Sequence, residues 1–312
     1  MYIHSVSALS TLPIIRTNEP LPELGPQAGL AVVEPKYADY IPPMQLRRMS
    51  KGLKMGLWAA LDCVKQHEAS AEDLQGIVIG TAYGLLKDSE AFLANMTAQN
   101  ETALNPTAFI QSTHNTVSGA IAVQLKAHVH NMTFVQKGHS FDNALVDADL
   151  CLGGAGQSKY VLLGAVDERN DLLEWLVGNA NSASGLGESA SFMLVGAHAQ
   201  GAIAQIAHYA TFKTNSVKEA KEHIAVFQRQ SDGNTSEDLV LWSSHQKKYK
   251  EMIDVDIDLS PVVGYNPSGS GFAMIVAAKI CQERKRPVTV VNQFRSFWSL
   301  YRLKPLDIGE GV

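Results

Sequence analysis

The chain has 312 residues, of which 46% are hydrophobic and 18% are charged. These proportions are typical of a globular protein and exclude a disordered or fibrous chain, and the length predicts one large domain or two fused halves. The formal net charge of −5 gives no reason to expect nucleic acid as a partner.

The three cysteines, Cys63, Cys151 and Cys281, lie far apart and form no CxxC pair, which predicts neither a disulfide framework nor a zinc site. The opening stretch MYIHSVSALSTLPII lacks a basic leader followed by a continuous apolar core, and no apolar run approaches the ~18 residues of a membrane span. We therefore expect a cytoplasmic protein without membrane contact, and no motif indicates a metal or another cofactor.

Strands and helices alternate along the first half of the chain. A short first strand precedes a Pro- and Gly-rich loop over 16–43, and 43–64 is predicted as one amphipathic helix. Residues 76–84 read as a buried strand, 114–129 as a helix with small residues, and 160–166 as another apolar strand. This alternation argues for a layered α/β fold.

Residues 133–152, TFVQKGHSFDNALVDADLCL, are predicted to form a strand, a tight turn and a helix. Many enzymes expose a nucleophile at such a turn, because the helix N-terminus favours developing negative charge. The turn here offers Gly138, which permits an unusual backbone angle, followed by His139 and Ser140. It contains no cysteine, so the sequence raises the question of an emptied active site.

The second half repeats this alternation more loosely. The predicted elements are strands at 188–200 and 202–210, a helical piece at 217–228, a strand at 238–244, a helix at 269–284 and a final strand at 287–294. We find no low-complexity segment and no linker.

A set of motifs in one order resembles the β-ketoacyl-ACP synthases of the thiolase fold. Residues 106–125, PTAFIQSTHNTVSGAIAVQL, resemble the segment before that family's nucleophile, and SFDNALVDA (140–148) resembles the nucleophile helix. The later matches are YVLLGAVDE (160–168), GESASFMLV (187–195), VVGYNPSGSGFAMIVAAKI (262–280) and VVNQFRSF (290–297). The similarity extends over about residues 1–300.

The resemblance implies an α/β protein of five layers, α/β/α/β/α, built from two pseudo-repeats. It implies a single β-ketoacyl synthase-like domain over 1–312, with an N-terminal half of about 1–200 and a shortened C-terminal half of about 201–312. It also implies that two subunits pair edge to edge through the strand before the nucleophile position, here 131–137.

The chain departs from the family at every catalytic position that can be placed. The nucleophilic cysteine falls on Gly138, the first catalytic histidine falls near Ser243, the second falls on Tyr265, and the lysine of the second histidine's motif falls on Ser260. Gly138 cannot carry an acyl group, and Ser and Tyr polarise a thioester carbonyl poorly compared with histidine. The loop that is glycine-rich in the family is predicted to fill its space with Arg295, Phe297 and Trp298.

A synthase with an empty site is similar to the chain length factor, the inactive partner of a type II polyketide ketosynthase, and above all to those of aryl polyene and flexirubin clusters. This resemblance implies a heterodimer with an active ketosynthase, and contact with acyl carrier protein mainly through that partner. Candidate residues for the acyl tunnel or the subunit contact are His114, Asn115, Thr116, Thr133, Phe134, Val135 and Gln136.

The rival hypothesis is an autonomous acyltransferase or hydrolase that uses Ser140 or His139. The sequence GHSFD lacks the second glycine of a GxSxG elbow, and a base must approach from another element, with His245 as a candidate. We favour a structural interpretation, in which Ser140 caps the helix by accepting a hydrogen bond from a backbone N–H.

Two smaller features have alternative interpretations. His128 and His130 can bind metal if they lie on a strand, but with no third ligand nearby we favour a surface pair at a helix end. The basic residues of the first long helix form either a docking face for acidic acyl carrier protein or a solvated helix face. They are Arg47, Arg48, Lys51 and Lys54.

Overall fold

The computed structural model describes residues 1–27, 29–102, 106–154, 160–179, 185–230, 238–244, 246–251 and 253–306. Its strands are β1 (Tyr2–Leu9), β2 (Ile15–Arg16), β3 (Leu74–Gly80), β4 (His130–Phe134), β5 (Tyr160–Asp167), β6 (Ser189–Gly196), β7 (Ala204–Lys213), β8 (Leu239–Trp242), β9 (Ile257–Asp258), β10 (Val288–Phe294) and β11 (Phe297–Lys304).

The α-helices are α1 (Pro43–Leu46), α2 (Lys51–Gln66), α3 (Leu86–Ala98), α4 (Pro106–Gln111), α5 (Thr116–Leu125), α6 (Ser140–Leu152), α7 (Asp171–Asn179), α8 (Val217–Gln230), α9 (Lys247–Lys250), α10 (Ser260–Val263) and α11 (Gly269–Arg284). Within the described ranges, no helix combines the length and the apolar character that crossing a bilayer requires.

The strand order contains the same pattern twice. The sheet runs β4-β3-β5-β6-β1-β7-β11-β10-β8-β9, with β2 paired to β1. In the first half β4, β3 and β5 are parallel and β6 and β1 continue antiparallel. In the second half β9, β8 and β10 are parallel and β11 and β7 continue antiparallel. The two pseudo-repeats are therefore confirmed, and they meet where β1 pairs with β7 at Tyr2↔Gln205 and Ile3↔Ala204.

The helices form layers on both faces of each half. Because successive strand residues face opposite sides of a sheet, Ile77 and Ile79 of β3 pack with α2, whereas Val78 faces the core that contains α6 and α11. All residues from Gly269 to Cys281 are buried, as expected for a helix enclosed on every side. Helix α8 covers the outer face of the second half through Ala220, Ile224 and Phe227. The order α2, sheet, α6 with α11, sheet, α8 confirms the five-layer fold.

Several predicted elements differ from the structure. The single helix predicted over 43–64 is two helices, α1 and α2, because Ser50 is extended at the N-cap position of α2. The helix predicted over 114–129 is shorter, and α3, α4, α7 and β11 were not predicted. The division into halves near residue 200 stays a prediction, which the repeated strand order supports.

Candidate functional site

The turn between β4 and α6 has no room for a side chain at position 138. Residues Lys137–His139 form a 3-10 turn, and Gly138 is buried within it. A Cβ built on Gly138 would lie 2.6 Å from Cδ2 of Phe294, and closer still to Cβ and Cγ of the same residue. The glycine is not required by its backbone angle, because Lys137 and not Gly138 has a positive φ, so that part of the prediction was wrong. The ring of Phe294 occupies the place that a nucleophile's side chain would take.

The position matched to the first catalytic histidine lies close to Gly138. Ser243 Oγ donates a hydrogen bond to Asn292 Oδ1 at 3.2 Å, and Asn292 Nδ2 donates to the Gly138 carbonyl at 3.5 Å. None of these groups is an imidazole or a thiol. Asn292 therefore links Gly138 and Ser243, two positions that were matched to catalytic residues of the family. Asn292 itself was not singled out from the sequence.

Tyr265 lies in a loop held by backbone hydrogen bonds, with its N–H donating to Gly185 O at 2.8 Å and its carbonyl accepting from Gly187 N at 2.9 Å. Burial raises the pKa of the Tyr265 hydroxyl, and nearby Tyr83 and Asp167 raise it further. The phenol therefore stays protonated at neutral pH. Ser260 has a local role, because its hydroxyl donates to Asp258 Oδ1 at 2.7 Å beside the start of α10.

A buried carboxyl group, Asp167 at the end of β5, was missed by the sequence analysis although it belongs to the GAVDE motif. Its Oδ1 accepts hydrogen bonds from Ala82 N at 2.9 Å and Thr81 Oγ1 at 3.0 Å. Burial nevertheless raises the pKa of Asp167 to about 7, because desolvation of the carboxylate outweighs those hydrogen bonds.

His139 belongs to a hydrogen-bonded network that ends on a carboxylate. Its Nδ1 lies 2.7 Å from Asp142 Oδ2, and Ser299 donates to the same oxygen at 2.5 Å. Tyr301 donates to the other carboxylate oxygen. The ring of His139 lies 4.6 Å from that of Phe297, beside a cavity of about 390 Å³. No hydroxyl or thiol is recorded within hydrogen-bond distance of the free Nε2 in the described ranges.

Ser140 is a structural residue. It is the first residue of α6, with His139 at the N-cap, and its hydroxyl accepts a hydrogen bond from the Gln136 N–H at 2.8 Å. The same Oγ lies 2.8 Å from the carbonyl oxygens of Thr81 and Lys137, either of which takes its single proton. The prediction that Ser140 caps α6 was therefore wrong, because its acceptor role serves the preceding turn. The Ser140 hydroxyl donates its hydrogen bond to a carbonyl oxygen, and the side chain is fully buried. Ser140 is therefore not arranged as a nucleophile.

The proposed base of the rival hypothesis, His245, lies outside the described residues.

The hairpin between β10 and β11 contains the bulky side chains that were predicted to fill the site, and the structure corrects which of them does so. Phe294 and Phe297 are paired across the hairpin and face the turn at 138 and His139. Trp298 is the next residue along, so it faces the opposite side, where its ring packs near Trp242 at 6.2 Å. Arg295 lies at the hairpin tip over the ring of Phe294. Phe294, not Trp298, fills the site.

The tunnel candidates do not surround one open cavity in the described part of this chain. His114 lines a cavity of about 10 Å³ next to Gly84, which is room for about one water. The Thr116 hydroxyl lies 2.8 Å from the carbonyl oxygens of Ile110 and Thr113, and Asn115 is exposed at the N-cap of α5.

The remaining candidates lie on or just after the edge strand. Thr133 Oγ1 is 2.8 Å from Ser118 Oγ of α5, and Phe134 packs against the core. Val135 and Gln136 follow the end of β4. The pairing strand predicted over 131–137 is therefore shorter and starts earlier, at 130–134.

Strand β4 is one of the two open ends of the sheet, since among the described residues it pairs with β3 alone. Apolar side chains are exposed on it and on the helices beside it. They are Met132 on β4, Val123 on α5, and Val146 and Leu150 on α6. An unpaired strand edge with apolar neighbours is a surface that tends to recruit another strand.

The structure also changes the interpretation of the basic residues at 47–54 and of the histidine pair at 128 and 130. Lys51 pairs with the buried carboxylate of Glu188 and with Glu34 at 3.7 Å, so it is a structural residue and not only a solvated one. His130 does not end a helix: it opens β4, and the fold brings Asp147 and Cys151 of α6 to it. The expectation that no further ligand lies near His130 was wrong, because these two residues are close only in space.

Comparison with known proteins gives one family and a consistent fold. The sequence profile described as beta-ketoacyl synthase, N-terminal domain, matches residues 26–236, more than half of the chain. No curated protein sequence matches the chain significantly.

Similar solved structures span almost the whole chain. The ishigamide ketosynthase/chain length factor aligns with a TM-score of 0.76 at 17% identity, over 98% of this chain and 99% of that one. AntDE:AntF (apo), a type II PKS acyl-carrier protein in complex with its ketosynthase bound to the hexaketide, aligns with a TM-score of 0.77 at 12% identity, over 98% and 99%. The ketosynthase ApeO in complex with its chain length factor ApeC, from Xenorhabdus doucetiae, gives 0.57 at 13%, over 97% and 99%.

At these identities the structural likeness shows a shared fold, and the sequence profile shows the family. The duplicated strand order, the buried central helices and the strand–turn–helix at 130–152 agree with both. This chain belongs to the beta-ketoacyl synthase family.

Proposed function

We propose that this chain is a non-catalytic subunit of the chain-length-factor type, which pairs with an active β-ketoacyl-ACP synthase in polyketide or polyene biosynthesis. The observation that carries the proposal is the contact between Gly138 and Phe294. A condensing enzyme needs a nucleophile to carry the growing acyl chain. Here the position has neither a side chain nor space for one, and Ser243 and Tyr265 stand at the two histidine positions.

The open edge of β4 supports the choice of a subunit over a lone protein. The partner would add its own edge strand to β4, and Met132, Val123, Val146 and Leu150 would be covered by the contact. Stable obligate interfaces bury about 2,000 Å² or more and are apolar. Similar structures include a ketosynthase in complex with its chain length factor, which supports a subunit role.

The remaining roles follow from that pairing. Acyl carrier protein would deliver substrates mainly to the partner, which alone holds a nucleophile, and the complex would act in the cytoplasm. Residues near the β4 edge, from His114 to Thr116 and from Thr133 to Gln136, would shape the far end of the partner's acyl tunnel by their size and polarity.

Co-expression with a ketosynthase that retains the Cys-His-His set tests the proposal, ideally one encoded by a neighbouring gene. With a tag on this chain only, we expect a one-to-one complex on affinity purification and size-exclusion chromatography. Polyketide extension should require both subunits. Independent migration of the two proteins, with full extension by the ketosynthase alone, would reject the subunit role.

A further inference from the structure

Helix α6 and strand β4 bring three metal-binding side chains together at the open edge of the first half. His130 opens β4, and Asp147 and Cys151 lie four residues apart on α6, on one face of the helix. One ligand atom from each residue lies within 4.8 Å of the other two. Within the described ranges, no other group of three such residues meets this criterion.

We propose that His130, Asp147 and Cys151 form a binding site for a divalent transition-metal ion, with Zn²⁺ as the favoured ion. Imidazole nitrogen, carboxylate oxygen and thiolate sulfur are the ligand types that Zn²⁺ accepts, at about 2.0–2.3 Å. The mixture of a soft sulfur with nitrogen and oxygen argues against Mg²⁺ and Ca²⁺, which prefer oxygen alone. A thiolate and a carboxylate together also match the charge of a divalent cation.

The geometry needs only small side-chain movements to close around an ion. His130 Nε2 and Asp147 Oδ2 are now 2.7 Å apart, in direct hydrogen-bonded contact, so an ion would separate them slightly and take the place of the shared proton. The side chains of His130 and Asp147 are 39% and 21% exposed, which leaves an entry path from solvent and an open fourth position for water.

Two further hydrogen bonds hold the chain at Cys151 and next to His130. Gln75 Nε2 donates to the Cys151 carbonyl at 2.5 Å, which fixes the last turn of α6 against β3. Asn131 Nδ2 donates to the Ser118 carbonyl at 3.0 Å, which fixes the residue after His130. Supports of this kind hold ligands in place before the metal arrives. A bound ion would tie the edge strand β4 to α6.

Cobalt titration of the chelator-treated full chain tests the site, because Co²⁺ takes Zn²⁺ positions and its thiolate bond gives a near-ultraviolet charge-transfer band. We expect one equivalent of Co²⁺ per chain, with that band, and its displacement by Zn²⁺. The substitution Cys151→Ser should abolish the band. His130→Gln and Asp147→Asn should weaken binding at least as much as the roughly 10–100-fold that changes to outer-shell residues cost.

The matched control is His128→Gln, which removes an exposed histidine two residues from His130 and should bind Co²⁺ like the wild type. Cys63 and Cys281 are fully buried, so they should not supply the sulfur. Melting curves without metal check that every variant folds: His130 and Asp147 are partly exposed, and Cys151→Ser keeps the size of a side chain that packs partly against the core. Absence of the band, or its survival in Cys151→Ser, would overturn the proposal and leave His130 and Asp147 as an ordinary hydrogen-bonded pair. This outcome is independent of whether the chain pairs with a ketosynthase.

Discussion

Gly138 and Phe294 are 156 positions apart in the sequence, yet a Cβ on the glycine would meet the ring at less than 3 Å. Restoring the family's cysteine should therefore not restore chemistry. We expect Gly138→Cys to lower the free energy of unfolding by about 1–3 kcal/mol, the usual cost of overpacking. Urea denaturation measures this directly, and the new thiol should resist acylation because the ring covers it.

The control for Gly138→Cys is Gly119→Cys in α5, where a Cβ meets nothing within 4 Å, so stability should change by less than about 0.5 kcal/mol. Combining Gly138→Cys with Phe294→Gly should cost less than the sum of the two single changes, because both the Cβ and the ring that clash are gone. Additive costs would mean that Phe294 is not the obstacle.

Asp167 provides a pH-dependent prediction at the residue scale. Its folded-state pKa of about 7 lies above the value of about 3.9 in an unfolded chain. The folded state therefore binds the proton more tightly, and its contribution to stability is complete below pH 4 and is lost as the pH rises through 7. The slope is about 1.4 kcal/mol per pH unit in that window.

The variant Asp167→Asn keeps the acceptor for Ala82 and Thr81 but cannot ionise. We expect its stability, relative to the wild type, to rise between pH 4 and 7 and to level off above. Chemical denaturation at several pH values measures this, and parallel curves for the two proteins would contradict the assignment.

Single residues could be assigned from the sequence where the signal is the absence of the family's catalytic side chain. Gly138, Ser243 and Tyr265 could be matched to the family's catalytic positions from the motifs alone, and their non-catalytic role stays a prediction. Phe294 could not be assigned in this way, because its contact with Gly138 exists only in the folded sheet. Trp298 was assigned to the wrong face because β11 was not predicted, and the side that a residue faces depends on its place within a strand.

At the scale of elements, the β4 edge carries a direct test of pairing. Met132 is 41% exposed on that edge, so Met132→Lys should leave the isolated chain's melting temperature unchanged and weaken binding to a ketosynthase at least about tenfold. Val226→Lys is the matched control, because Val226 is also 41% exposed but lies on the outer helix α8. Isothermal titration or co-purification yields measure binding, and equal affinities for the two variants would exclude β4 as the contact.

Phe134 is less suited to that test. It packs against the main core, so Phe134→Asp buries a charge and should leave an aggregating chain whether or not a partner binds β4. A substitution at the exposed Met132 tests pairing without disturbing folding. The sequence alone did not show which of the two residues is exposed.

Helices and strands with a continuous run of apolar residues were predicted well, and those whose apolar residues are interrupted by polar ones were not. The helix predicted at 269–284 matches α11, since its apolar residues are continuous. The strand β11 was missed because Ser299 and Arg302 interrupt its apolar residues. In the structure Arg302 is buried and paired with Asp238 at 2.6 Å, and such a partner 64 residues away leaves no local signal.

For the whole molecule, the two-fold repeat was predicted from the resemblance and not from any internal sequence similarity. The repeat lies in strand order and direction, which sequences of different composition can share. It also places the two open ends of the sheet, β4 and β9, at equivalent positions.

Control of product length belongs to the assembled complex. If Thr116 lies at the far end of the partner's tunnel, Thr116→Gly should lengthen and Thr116→Trp should shorten the product of the reconstituted pair. A two-carbon unit that fits gains roughly 1–2 kcal/mol of burial, enough for about a tenfold change in the distribution. Mass spectrometry of the products decides, and unchanged lengths at unchanged rates in both variants would remove Thr116 from the tunnel wall.

The most direct test of a non-catalytic subunit is intact-protein mass spectrometry after incubation with acyl- and malonyl-carrier protein. The measurement uses the wild type and Ser140→Ala, each alone and with an active ketosynthase. We predict no acyl adduct on this chain in any mixture and an adduct on the ketosynthase cysteine in both pairs. An acyl group on this chain that disappears in Ser140→Ala would contradict the proposal and show that the chain performs acyl transfer itself.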